Sequence, residues 1–172
     1  MKRAIASVVF LLVFSAASVF AQDEQKKPMP KSVTVDIINA EGHSVGTALL
    51  SESTHGVKIA LNIKSLPPGP HLMHIHEFAK CETPDFKSAG PHFNPVGSGP
   101  EGMMAGDIPN FVLTVAADGT AHTTTVAPNV TLGSENNSVF SGGGTSLVIH
   151  AVASEVSASA PPRIACGVIT KP

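Results

Sequence analysis

The chain has neither tryptophan nor tyrosine, and its 11 lysines and arginines are scattered among 13 aspartates and glutamates with no basic patch. A nucleic-acid surface needs clustered cations and aromatic rings on which bases can stack, so that class of partner is excluded. Outside the first twenty residues no segment longer than a few positions carries apolar residues at a 3.6-residue period, which argues against a helical protein. There is no internal repeat and no low-complexity tract. Cysteine is scarce as well: Cys81 and Cys166 are the whole complement.

One long apolar run exists, at the N-terminus. Lys2 and Arg3 precede the almost wholly apolar stretch Ala4 to Phe20, and Val19-Phe20-Ala21 offers small residues at −3 and −1 for a signal peptidase. Residues 1–21 therefore read as a signal peptide cleaved before Gln22. The run is short for a transmembrane anchor, and no cysteine follows it to carry a lipid. The expectation is an exported protein, periplasmic or secreted, with no membrane attachment after cleavage. Losing Lys2 and Arg3 leaves 9 basic against 13 acidic residues, a formal −4, on a mature chain of about 151 residues. That length suits one domain with a sizeable core. In an oxidising compartment the two cysteines read as one disulfide, which would stabilise the fold by roughly 4–5 kcal/mol in the chain-entropy model; two free buried thiols are the other reading.

Residues 22–31 (QDEQKKPMPK) are polar with two prolines and read as a flexible lead-in. Short segments rich in β-branched residues follow, separated by turn signals. Ser32 to Asn39 places Val33, Val35 and Ile37 on one face, and Gly56 to Ile63 does the same with Val57, Ile59, Leu61 and Ile63. Val45 to Glu52, a strand from about His71, Phe111 to Ala116, Ala121 to Ala127, Ser146 to Val152 and Ile164 to Thr170 complete a set of eight. Such a set, with 15 glycines and 14 prolines, argues an antiparallel sandwich or barrel spanning residues 32–172. Two long stretches without strand character, Phe78 to Asn110 and Ser154 to Arg163, are where function usually resides.

The richest stretch is His71 to Pro95, HLMHIHEFAKCETPDFKSAGPHFNP, with four of the eight histidines and one of the two cysteines. In a strand, His74 and His76 share a face. His92 lies in Gly90-Pro91-His92-Phe93-Asn94-Pro95, where glycine and the prolines read as a fixed loop. His150 is the best candidate for a fourth ligand. Four neutral imidazoles on a β scaffold suit Cu(II) in a roughly square-planar arrangement, whereas zinc sites are usually tetrahedral.

Several motifs together carry a resemblance to bacterial, exported copper/zinc superoxide dismutases. Leu66-Pro67-Pro68-Gly69-Pro70-His71 with His74-Ile75-His76-Glu77 resembles the family's strand bearing two copper ligands. Ser88-Ala89-Gly90-Pro91-His92-Phe93-Asn94-Pro95 resembles the loop whose histidine bridges two metals, and Ala105-Gly106-Asp107-Ile108-Pro109-Asn110 the end of the zinc loop. Ser146-Leu147-Val148-Ile149-His150-Ala151 resembles the strand with the last copper ligand, and Arg163-Ile164-Ala165-Cys166-Gly167-Val168-Ile169 the C-terminal strand. The resemblance implies a Greek-key fold of immunoglobulin-like architecture. It implies copper on His74, His76, His92 and His150, an anion-attracting Arg163, and a Cys81–Cys166 disulfide tying the metal loop to the sandwich. It also implies dismutation of superoxide by Cu(II)/Cu(I) cycling, with His92 releasing copper and taking up a proton on reduction. Superoxide and a copper-loading protein are the partners that follow.

The chain departs from the family at the zinc site. The family adds two further histidines and an aspartate to the bridging histidine, but Val96 to Met104 contains no histidine and Met104 stands where one is usual. His92 and Asp107 remain, and thioether is a poor ligand for Zn(II). Asp107 thus marks a relic zinc position, more useful as an acceptor for the loop or for His92, and no stable zinc is expected. Ala151 to Pro162 is also short, with Glu155 its only charge, where the family has a long charged loop. The chain resembles the family's copper-only members. His71 reads as a core histidine bonded to backbone, and His43, His55 and His122 as solvated. A non-catalytic copper-binding or copper-delivery protein on the same fold is the alternative.

Overall fold

The computed structural model describes residues 32–95, 97, 104–151 and 161–172. The expected signal peptide and lead-in, residues 1–31, fall outside them, as does most of the Ala151–Pro162 segment.

Nine strands are present among the described residues: β1 (Ser32–Asn39), β2 (Ser44–Ser53), β3 (Gly56–Ile63), β4 (Gly69–His71), β5 (Met73–His76), β6 (Leu113–Val115), β7 (Ala121–Ala127), β8 (Thr145–His150) and β9 (Arg163–Ile169). Seven form one antiparallel sheet in the order β5-β8-β9-β1-β2-β3-β7, curled into a half-barrel, and β4 pairs with β6. The all-β antiparallel architecture expected from the strand pattern is therefore the architecture found. Among the described residues no helix is long and apolar enough to cross a membrane.

Alternation explains the core. Val35 and Ile37 of β1, the row Val57, Ile59, Leu61 and Ile63 of β3, and Leu147 and Ile149 of β8 are all buried in one apolar cluster. Met73 and Ile75 of β5 belong to the same cluster. With a two-residue period, their neighbours His74 and His76 must then sit on the outer face of the sheet.

The histidine strand differs from expectation. It is not one continuous strand but two, broken at Leu72, which makes nine strands rather than eight. Its halves serve different partners: β4 pairs with β6, while His74 of β5 lies opposite Val148 of β8. Pro70 contributes no backbone donor, and the Leu72 carbonyl is taken instead by the His150 N–H at 2.8 Å. The break is held open by His71, buried, whose ring nitrogens lie 3.0 Å from the His150 carbonyl oxygen and 2.7 Å from that of Pro67.

The loop after β5 folds over the outer face of β8 and β9. Phe86 and Ala89 pack with Val148 and Cys166 in a second buried cluster. Burial on both faces follows for β8, every residue of which is buried. Cys81 and Cys166 are joined in a disulfide across 85 residues, so the two-free-thiol reading is set aside. That bond and the second cluster pin the loop where it covers His76.

Candidate metal centre

Four histidines from three segments meet on this covered face. His74 and His76 come from β5, His150 from the end of β8, and His92 from the overlying loop, where it forms an isolated antiparallel bridge with His76. One nitrogen from each ring lies within 4.8 Å of the others. The His74 and His92 ring centroids are 4.2 Å apart, and those of His76 and His92 4.9 Å. His76 and His150 are buried; His74 and His92 keep partial exposure.

The hydrogen bonds on the far side of each ring determine which nitrogen faces inward. A carbonyl only accepts, so the nitrogen beside one must be N–H, and the other then bears the lone pair of a neutral imidazole. His76 donates from Nδ1 to the Gly90 carbonyl at 2.9 Å, and His150 from Nδ1 to the Pro161 carbonyl at 3.1 Å. His92 Nδ1 lies 2.7 Å from Asp107 Oδ1. Each of these three is thereby set to offer Nε2. His74 is the exception: its Nδ1 is buried with no hydrogen-bond partner among the described residues, as a nitrogen reserved for a metal would be.

Charge points the same way. Burial, with the neighbouring rings of His92 and His150 adding to it against Asp107, lowers the His74 pKa from 6.5 to about 4. His76 is lowered to about 3, chiefly by burial; its bond to Gly90 opposes this, and the charges of Arg163, His92 and His150 assist it. Both rings are neutral near pH 7. The Nε2 atoms of His76 and His150 lie 3.3 Å apart, close enough for both to face one cation. All-imidazole donors of this kind suit copper.

Asp107 is buried and divides its carboxylate, Oδ1 against His92 Nδ1 and Oδ2 accepting the Met104 N–H at 2.7 Å. It occupies the acceptor role anticipated for it. Gly106 makes this possible by lying directly on β5: its N–H donates to Phe93, its carbonyl accepts from Ile75, and a Cβ there would fall on the Ile75 carbonyl oxygen.

Arg163 opens β9, with Nη1 donating to the Phe86 carbonyl and Nη2 to that of Gly90, both at 2.7 Å. Among the described residues it is paired with no carboxylate; nearby Asp85 is engaged with Lys87. Arg163 lines a cleft of about 590 Å³ with Pro84, Asp85, Lys87, Pro161 and Pro162. His43, His55 and His122 are exposed, away from this cluster. Sequence reasoning passed over the carbonyls of Gly90, Phe86 and Pro161, because a backbone acceptor has no side chain to announce it.

The half-barrel with four imidazoles converging on its outer face defines a metal-binding all-β protein. Residues 44–169 match the family model described as copper/zinc superoxide dismutase. The superoxide dismutase [Cu-Zn] 2 of Aquifex aeolicus is 43% identical over 170 residues, covering 92% of this chain and 93% of that one. A superoxide dismutase [Cu-Zn] of Caulobacter vibrioides is 35% identical over 150 residues, covering 80% and 85%. A crystal structure of a double mutant of a SOD-like protein from Bacillus subtilis superposes with a TM-score of 0.70 at 34% identity, covering 80% of this chain and 96% of that one. The chain belongs to the copper/zinc superoxide dismutase family.

Proposed function

We propose that this protein is an exported, copper-dependent superoxide dismutase that works without zinc. The observation that carries the reading is the convergence of four imidazoles within 4.8 Å, three with Nδ1 held outward and the fourth with Nδ1 unpartnered among the described residues. His74 would hold copper through Nδ1, and His76, His92 and His150 through Nε2. Copper held there would supply a Cu(II)/Cu(I) couple suited to the overall reaction in which two superoxides and two protons give O2 and H2O2.

The chain's own groups do the rest. Each Nη of Arg163 keeps an N–H beyond the one given to a carbonyl, so the guanidinium can attract an anion entering the cleft. With its Nδ1–H committed to Asp107, His92 has Nε2 as the atom that can accept and return a proton. The carbonyls of Gly90 and Pro161 hold the rings of His76 and His150 against rotation. Support for a zinc-free site comes from Asp107, whose two oxygens are both spent within the protein, and from Met104 at a position where the family has histidine. Export is supported by the N-terminal pattern and the disulfide.

The test loads the mature protein with copper and follows superoxide decay and metal content. Catalysis well above that of copper on an inert protein is expected, with copper and no zinc bound. His92→Ala should abolish tight copper binding while His122→Ala leaves it intact, and Arg163→Glu should slow the reaction at full copper content. Stoichiometric copper without dismutation, and transfer of it to an acceptor protein, would favour the delivery role instead.

A further inference from the structure

Two groups central to the proposed chemistry hang on one carbonyl. Gly90 O accepts from His76 Nδ1 at 2.9 Å and from Arg163 Nη2 at 2.7 Å. Any rotation of that single peptide plane moves a copper ligand and the anion-attracting cation together.

Arg163 rests on two supports that are secured differently. The Phe86 carbonyl belongs to a fully buried residue packed beside Ala89, Val148 and Cys166, next to the disulfide. Gly90 is in neither apolar cluster. It has φ +77°, a region that glycine leaves as readily as it enters. What lies against it is the ring of Phe78: a Cβ on Gly90 would stand 2.6 Å from Phe78 Cδ2 and 2.7 Å from Cε2. The Phe78 N–H donates to Ala89 O and the Glu77 N–H to Pro91 O, each at 3.0 Å, so the end of β5 grips the chain on both sides of Gly90. Phe78 is nonetheless 47% exposed and absent from both apolar clusters. Core formation does not account for a phenylalanine so placed.

We propose that Phe78 is a positioning residue: its ring holds the Gly90 peptide in the one orientation in which a single carbonyl serves both His76 and Arg163. The inference rests on the reading of these two as copper ligand and anion-attracting cation. Without the ring, the backbone bonds around Gly90, including its own N–H to Lys87 O, remain, but nothing packs against its Cα side, so its carbonyl is held less firmly toward Arg163 and Phe86 becomes the firmer of the two supports. The inner face of the ring is thus structural for the site while its outer face stays in water.

The first experiment needs neither copper nor activity. In metal-free, 15N-labelled protein, Phe78→Ala should speed solvent exchange of the Arg163 guanidinium protons by about five- to tenfold, as expected for the loss of one hydrogen bond. The Gly90 amide signal should shift with it. Phe78→Tyr, which keeps the ring, should restore both, and Val112→Ala, which trims another exposed apolar side chain, should change neither. In copper-loaded protein, azide should bind to Phe78→Ala several-fold more weakly at unchanged copper content. Unaltered Arg163 exchange in Phe78→Ala, or failure of Phe78→Tyr to restore it, overturns the proposal. So does a change in oligomeric state with Arg163 unmoved, which would make Phe78 a contact between copies. Because exchange is read without metal, this outcome is separate from whether the loaded protein dismutates superoxide.

Discussion

Replacing Asp107 by asparagine isolates the step on which the copper site depends, the choice of nitrogen that His92 presents. The wild-type carboxylate accepts twice, from His92 Nδ1–H and from the Met104 N–H, both at 2.7 Å and out of water. An amide has one oxygen. Turned toward Met104, it leaves its NH2 against His92 Nδ1, which must then become an acceptor and place its proton on Nε2, where copper should bind. Turned toward His92, it keeps the tautomer but sets NH2 against the Met104 N–H in a buried space. Either way a hydrogen bond to a charged group is lost, about 1.5–3 kcal/mol. Copper affinity should therefore fall by one to two orders of magnitude, the range seen when a ligand's hydrogen-bond partner is removed. Competition against a chelator of known affinity measures this, with far-UV circular dichroism checking that the fold survives. Copper held within about twofold of wild type would refute the idea that Asp107 sets the His92 tautomer. A second metal analysis guards the zinc-free reading: stoichiometric zinc lost on Asp107→Asn at unchanged copper content would make Asp107 a zinc ligand after all.

Other perturbations test the scaffold around the site. Gly106→Ala would drive a methyl group into the Ile75 backbone, which cannot swing aside as a side chain can. We expect a loss of about 3 kcal/mol or more in denaturant unfolding, with copper affinity reduced as Asp107 is displaced; an Ala variant as stable as wild type would contradict the close approach. Removing the disulfide by Cys81→Ala with Cys166→Ala opens an 85-residue loop. That should cost about 4–5 kcal/mol on the chain-entropy account and show as an earlier urea midpoint. Metal-free protein should lose stability in acid. His74 and His76 titrate near 4 and 3 when folded but near 6.5 when unfolded, so between these values the unfolded chain binds the extra protons. Their contribution is intact above pH 6.5 and declines as pH falls toward 4, by at most roughly 1.4 kcal/mol per unit for each ring. Urea unfolding at pH 7, 5.5 and 4.5 should show the decline, and His74→Gln should reduce it; a flat profile would mean the rings are not buried as described.

On the zinc-free reading proposed above, hydrogen bonds around Asp107 take the place of a second ion. In the position where the family has a further histidine the chain has Met104, and it is the backbone N–H of Met104, not its sulfur, that is put to use on Asp107. Asp107 then orients His92 from the side opposite His74 and His76. A carboxylate fixed in this way can set a tautomer as a metal would, and it gives His92 a permanent partner for Nδ1.

Much of this protein was decided by residue order alone. A two-residue alternation commits Met73 and Ile75 to the core, so His74 and His76 must share the other face whatever the rest of the chain does. The candidate donors, all imidazole, were legible in His74-Ile75-His76, His92 and His150, and with two cysteines the disulfide has one possible pairing. Tertiary structure decided the remainder. Which nitrogen of each ring points inward depends on carbonyls of Gly90 and Pro161 and on Asp107, brought up by loops 11 to 15 residues away. The break at Leu72 depends on a bond from His150, remote in sequence, and the importance of Gly90 depends on a ring that happens to lie across it. The reason is physical: every residue carries the same backbone acceptor, so which of them is put to work is written in no side chain and appears only when distant segments pack together.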